Sequence, residues 1–209
     1  MTIGRAIIAA IALLLAGSTV PLLAQVSVHA IAGARYTTAL VHDEIVVPVD
    51  AKPGIGPALT LSIGERTNGP WTPEAGLDVS WAALHRHENG EATKFNSITV
   101  IAFTVGARRE ISPGLAVRLG IGGIKYLPAG ETGMFRDGSG LWAVGTAGLY
   151  WTPTQLGGPA HDFGVSLRYD IHRFSTPALH ADGFTSAQLV HRVSLGVGAR
   201  ILGKGRSAP

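Results

Sequence analysis

Between Asp162 and His172 the chain alternates without a break. Phe163, Val165, Leu167, Tyr169 and Ile171 are apolar or aromatic, and Gly164, Ser166, Arg168, Asp170 and His172 are small or polar. Side chains on a β-strand point alternately to its two faces, so this stretch has one greasy face and one wet, charged face. Wound as a helix, at about 100° per residue, the same apolar positions would scatter around the axis. The segment is also about as long as a tilted strand needs to cross a bilayer, roughly 9–11 residues.

The same pattern predicts seven further strands, at about residues 26–37, 57–66, 75–85, 96–109, 114–126, 140–151 and 187–201. The first sets Val26, Val28, Ala30, Ala32, Ala34 and Tyr36 against Ser27, His29, Gly33 and Arg35. The last sets Leu189, Val193, Leu195, Val197, Ala199 and Ile201 against Gln188, Arg192, Ser194, Gly196, Gly198 and Arg200. The alternation blurs at Ile98 and Val100, and again where Trp142, Val144 and Tyr150 fall on the otherwise polar face. Three connections read as tight: Thr67–Pro70, Ser112–Gly114 and Thr152–Ala160. In the second, Pro113 followed by Gly114 favours a type II turn, since glycine accepts the positive φ. Four read as longer and acidic: Val41–Gly56, Arg86–Phe95, Leu127–Ser139 and Phe174–Ser186. An even number of strands with short turns at one end and long loops at the other is the asymmetry of a membrane barrel.

The first residues stand apart from this pattern. Arg5 precedes an apolar run from Ala6 to Gly17, and Leu22-Leu23-Ala24 offers a small residue for cleavage. The run is short for a membrane span and closes on Gly17-Ser18 and Pro21, so residues 1–24 read as a secretory signal peptide with Gln25 opening the mature chain. Residues 25–203 form the barrel domain, and 204–209 a disordered basic tail. The chain has no Cys, which removes disulfides and thiolate metal sites from consideration. Its net charge of +3 comes from basic residues placed singly along the strands, which argues against nucleic acid as a partner.

Alternation alone does not say which face is outside. A soluble barrel lines its interior with the apolar face, whereas a membrane barrel turns that face to lipid. Here the polar face is built from Gly, Ser, Thr and isolated Arg, and the chain has only four Lys. That composition suits a narrow interior rather than a solvated surface. Aromatic residues also gather near strand ends, with Tyr36, Tyr126, Trp142 and Phe174 at the long-loop end and Trp71, Trp151 and Phe163 at the other. Such girdles mark membrane–water interfaces. The expected fold is therefore all-β: an eight-stranded antiparallel up-and-down transmembrane β-barrel with short periplasmic turns and longer extracellular loops.

In pattern, this arrangement resembles the small outer-membrane barrels of the OmpA/OmpX/Ail type. Ser194-Leu-Gly-Val-Gly-Ala-Arg-Ile201 follows the polar and apolar outline of their last strand, but ends on Ile201 rather than on an aromatic residue. The resemblance implies outer-membrane lipids and the barrel insertion machinery as partners. It also implies a structural or adhesion role carried by extracellular loops, with an extracellular protein or surface ligand as a further partner. A small-solute channel, a lipid-modifying enzyme and a soluble secreted ligand-binding barrel are the alternatives.

The polar face carries Arg35, Arg66, Asp78, Arg108, Arg118, Arg168, Asp170, His172 and Arg192, with His29 and Arg200 beside them. Buried charges are costly unless paired, so these residues read as a structural ion-pair network filling the lumen. Arg outnumbers acid on this face, so Glu65 or Glu110 must lean in, or water and anions must enter. No catalytic, cofactor-binding or metal site is expected. His85 and His87 lie two apart near Glu91, a weak metal signature, and His191 falls on the lipid side with Ser194 on the opposite face. The first long loop holds the β-prone run Glu44, Ile45, Val46, Val47, Pro48, Val49 and Asp50, a candidate interaction loop. It is expected either to extend the first two strands and offer an edge to another chain, or to pack as a plain hairpin.

Overall fold

The computed structural model describes residues 26–43, 49–65, 67, 69–88, 91–130, 135, 138–153, 163–181, 183 and 187–202. They form ten strands: β1 (Val26–Thr37), β2 (Val41–Asp43), β3 (Val49–Pro53), β4 (Gly56–Glu65), β5 (Trp71–Glu88), β6 (Glu91–Ser112), β7 (Leu115–Pro128), β8 (Trp142–Trp151), β9 (Phe163–Phe174) and β10 (Gln188–Leu202). One short helix, α1 (Pro177–Ala181), precedes β10.

Eight strands close into a ring in the order β1, β4, β5, β6, β7, β8, β9, β10 and back to β1, every pair antiparallel. The closing seam joins the first strand to the last. Its register runs from Val28 opposite Leu202 to Thr37 opposite Arg192, and Gly33 meets Gly196 at its centre. A Cβ on Gly33 would overlap the Leu195 carbonyl, so the close approach there requires glycine. At the Ser112–Leu115 turn, Gly114 takes φ of 77°, the left-handed conformation that glycine supplies.

The eight strands read from alternation are the eight strands of the ring. Two expectations about the connections are corrected. Arg86–Phe95 is not a loop: β5 and β6 continue outward as a ribbon, paired as far as Glu88 opposite Glu91. Alternation is weak in this stretch because both faces leave the bilayer. Nor does the first long loop extend the first two ring strands. It contains β2 and β3, and β3 adds to the outer end of β5, from Pro53 opposite Leu84 to Val49 opposite Glu88. The prolonged β5 supplies backbone groups that need a partner, and β3 satisfies them. Residues 1–25, 154–162 and 203–209, on which the expected signal peptide, most of one expected tight connection and the expected tail fall, lie outside the described residues.

The two faces are inverted relative to a soluble protein. Exposed side chains on the ring include Leu59, Ile63, Phe103, Val105, Leu119, Ile121, Leu167, Leu195 and Val197. Buried ones include Arg35, Thr60, Asp78, Ser80, Thr104, Arg118, Ser166, Arg168, Asp170 and Arg192. β8 resolves the same way: Val144 and Thr146 point inward, so the face with the misplaced apolar residues is the luminal one.

The apolar core sits inside the barrel at its long-loop end. Leu84, Ile98, Val100, Ile124, Tyr126, Val144, Phe174 and Val190 close it from the strands, and Leu40, Phe135 and Leu179 cover it. This placement corrects the girdle at that end: Tyr126 and Phe174 are buried and Trp142 packs against the core, while Tyr36 alone of the four faces outward. At the short-turn end Trp71, Trp151 and Phe163 are all exposed outward. The helix α1 lowers Ala178 and Leu179 into the mouth. Pro177 fits its first position, and the Thr176 hydroxyl accepts the Leu179 N–H at 3.1 Å as a cap.

Candidate functional site

Below the apolar core the lumen is filled by charge. Asp78, on β5, is its hub. The Arg35 guanidinium from β1 grips both Asp78 oxygens, with Nη2 donating to Oδ2 at 2.7 Å. The Thr60 hydroxyl donates to the same oxygen at 2.7 Å, and Arg192 Nη2 donates to Oδ1 at 3.3 Å. Arg168 Nη1 lies 3.8 Å away. Asp170 holds the other half: Arg168 Nε donates to it at 2.7 Å and Arg192 Nη1 stands at 3.6 Å. Arg168 and Asp170 are two apart on one strand and therefore share a face, while Arg192 is directly opposite Asp170 on β10.

Hydroxyls complete the central layer. Arg35 Nε donates to Ser194 Oγ at 2.6 Å and Arg192 Nη2 to Ser80 Oγ at 3.0 Å. His172 Nε2 meets the Tyr126 hydroxyl at 2.8 Å, where the charged layer touches the apolar one. Forked guanidiniums on shared carboxylates are the arrangement that best compensates buried charge.

A second cluster lies towards the short-turn end. Arg108 and Arg118 are directly opposite across β6 and β7, a repulsive juxtaposition in itself. Glu74 stands between them, 2.9 Å from Arg118 Nε and 3.6 Å from Arg108 Nε. Arg118 Nη2 also donates to Thr104 at 2.9 Å, and Arg108 Nη1 lies 3.3 Å from His29 Nε2. Glu74 was missed in the sequence reading, where Glu65 and Glu110 were the candidates; both of those are exposed. The signal was present, because Glu74 continues the even-numbered face of Gly76 and Asp78 by one step. Arg66 lies outside the described residues.

Beyond the ring, β2, β3 and the outer ends of β5 and β6 make a four-stranded antiparallel sheet. Its inner face carries Val41, Ala51 and Leu84 onto the apolar core. The register places His42, Asp50 and His87 in one row on the outer face, with Lys52, His85 and Lys94 in the next. His42 pairs with Asp50, Arg86 with Glu88 at 2.8 Å, and Lys52 covers the Tyr36 ring at 4.7 Å. His85 and His87 share a face, their rings 6.4 Å apart, but Glu91 is in register with Glu88 rather than with either imidazole. No group of three His, Asp or Glu among the described residues is arranged to hold a metal ion. Of the candidate interaction loop, Asp50 is in β3; Glu44, Ile45, Val46 and Val47 lie outside the described residues. His191 faces outward and bonds the Tyr169 hydroxyl at 2.6 Å, whereas Ser194 points inward to Arg35. The two form no catalytic pair.

A closed ring of eight strands with lipid-like polarity outside and ion pairs inside defines a transmembrane β-barrel. No protein-family model matches the chain, and no curated protein sequence matches it. Among solved structures it is similar to Ail of Yersinia pestis, at 14% identity over 84% of this chain and 97% of that one, with a TM-score of 0.47. It is also similar to Neisserial surface protein A, at 12% identity over 85% and 97%, with a TM-score of 0.44. The outer membrane protein OprG of Pseudomonas aeruginosa aligns at 10% identity over 84% and 96%, with a TM-score of 0.44.

Proposed function

We propose that the protein is an outer-membrane barrel whose luminal residues are structural and whose working surface is the sheet projecting from its long-loop end. The observation that carries this reading is the contrast between the two regions. The lumen is occupied by the Asp78 and Asp170 networks and by the apolar layer above them. The strands instead continue past the ring, where a membrane anchor has no need of them. In this reading the long-loop end is extracellular, and the outward apolar belt contacts outer-membrane lipid. The barrel reaches that membrane by signal-peptide export and the insertion machinery.

The sheet is suited to capturing an extended segment of another chain. Among the described residues β2 ends the sheet order, and the outer end of β6 has β5 as its strand partner, since β7 joins it from Ile98 onward. Such edges recruit strands through main-chain hydrogen bonds, and the charged outer face tunes the choice of partner. The test compares cells producing the full chain with cells producing a variant in which residues 41–53 are replaced by a Gly-Ser linker. Adherence to immobilised extracellular-matrix protein should fall in the variant, while the barrel still folds by gel mobility. Equal adherence would refute the proposal. In planar bilayers the protein should show no large, steady, porin-sized conductance; such a pore would favour a solute channel.

A further inference from the structure

At the long-loop end, where the ring passes into the projecting sheet, the outward surface of β5 and its two neighbours is recessed. A groove of about 300 Å³ opens there. Ile55, Pro57 and Trp81 line its apolar side, and Lys94, Ser97 and Thr99 its polar side. Ile55 is 74% exposed and Trp81 45% exposed, so the apolar side lies open to the surroundings of the barrel.

A bulge brings Lys94 to this groove. Leu84 is opposite Asn96 but His85 is opposite Lys94, so Phe95 is an extra residue on β6. An extra residue shifts the alternation beyond it by one position and re-aims the side chains. Without the bulge, Lys94 would share the parity of the buried Ile98 and Val100 and fall on the inner face. With it, Lys94 joins Ser97 and Thr99 on the groove, and the Phe95 ring lies 5.9 Å from that of Phe135. Lys52, His85 and Lys94 then form one row across β3, β5 and β6. Lys52 extends over the outward Tyr36 ring, at the flank of the same surface.

The groove therefore joins two chemistries. Away from the sheet it continues into the outward apolar belt, and towards the sheet it ends at the basic row. A ligand that fits both is charged at one end and apolar at the other. Tryptophan at such a level marks the headgroup region of a bilayer, and an ammonium is a compact point charge that pairs with phosphate. A soluble anion would leave the apolar side uncovered. We propose that the groove seats a phosphate-bearing lipid of the surrounding leaflet. Its headgroup lies against Lys94, flanked by Lys52 and His85, and its chain runs along Trp81 and Ile55. The site does not depend on whether the projecting sheet captures another chain.

Trp81 reports on its own neighbour. The variant Trp71→Phe, Trp142→Phe, Trp151→Phe keeps it as the single tryptophan. Folded in phosphatidylcholine vesicles, this protein is titrated with brominated-chain phosphatidic acid or with brominated-chain phosphatidylcholine. Phosphatidic acid should half-quench Trp81 at a mole fraction about fivefold lower, the weight of one basic residue near an anionic lipid. Lys94→Gln should remove most of that preference and Lys94→Arg should keep it. Arg173→Gln is the control for general charge, because Arg173 is exposed on β9, across the barrel, and it should change nothing. If the triple replacement does not fold, native mass spectrometry of the wild-type chain and of Lys94→Gln, each given both lipids in equal amount, reads the same preference. Equal quenching by the two lipids, or an undiminished preference in Lys94→Gln, would overturn the assignment. Absence of quenching by either would overturn it too, and would give the groove to a protein partner.

Discussion

Asp78→Asn removes one negative charge from the centre of the lumen and almost nothing else. The side chain keeps its shape and one acceptor for the Thr60 hydroxyl, which donates at 2.7 Å. Arg168 and Arg192 retain Asp170, at 2.7 and 3.6 Å. Arg35 retains only the Ser194 hydroxyl and becomes a fully buried cation without a carboxylate. Removing one partner of a buried pair costs about 3–5 kcal/mol. That is a large share of an ordinary domain stability of about 5–15 kcal/mol, yet leaves the barrel folded. Reversible urea unfolding in lipid vesicles reads the change directly. The double variant Asp78→Asn, Arg35→Met removes the stranded cation and should recover much of the loss, so the two changes will be strongly non-additive. A cost below about 1 kcal/mol for Asp78→Asn, with simple additivity in the double variant, would mean that water already solvates the pair. The packed-lumen argument would then fail.

Two further outcomes test the faces and the packing. Leu167→Arg, outward on β9, should cost about 2–4 kcal/mol in bilayers near the midplane. A spin label at Leu167→Cys should be relaxed by oxygen and one at Ser166→Cys shielded from it; the reverse pattern would make this a soluble barrel. Gly122→Ala should destabilise the barrel by at least about 1–3 kcal/mol in the same unfolding assay, because its Cβ would overlap the Phe103 carbonyl, which the ladder holds in place. Wild-type stability would show that β6 and β7 can separate without loss.

The ring was legible because strands between lipid and a narrow lumen carry an unbroken two-residue period, and β9 shows it for its full length. Where the alternation blurred, at Ile98, Val100 and Val144, it marked the level at which the lumen turns from charged to apolar. A period-two reading assigns one chemistry to each face and has no term for a change along the barrel axis. That is why Tyr126 and Phe174 were placed in a girdle, although their even positions put them inside. Parity puts Arg35, Asp78, Arg118, Arg168, Asp170 and Arg192 on the buried face, but neither Glu74 nor the pairings were read, because pairing depends on register between strands far apart in sequence. The projecting sheet was hidden for a different reason. Once a ribbon leaves the bilayer, neither face must be apolar, and Arg86–Phe95 reads like any solvated loop.

The seam between β1 and β10 bears on how the barrel is made. Every other contact in the ring joins strands close in the chain: consecutive strands, or β1 and β4 with the β2–β3 excursion between them, and these can form as each segment is completed. The seam brings together the most distant strand partners in the sequence, as far apart as Val28 and Leu202, and it has no turn to guide it. Closing so long a loop is entropically the least favourable step, and contacts of this separation slow folding. Substitutions along β10 at the seam should therefore act chiefly on the rate of closure, and those in the β5–β6 ribbon chiefly on the rate of unfolding. In kinetic terms the chain is an open, curling sheet until its two ends find each other.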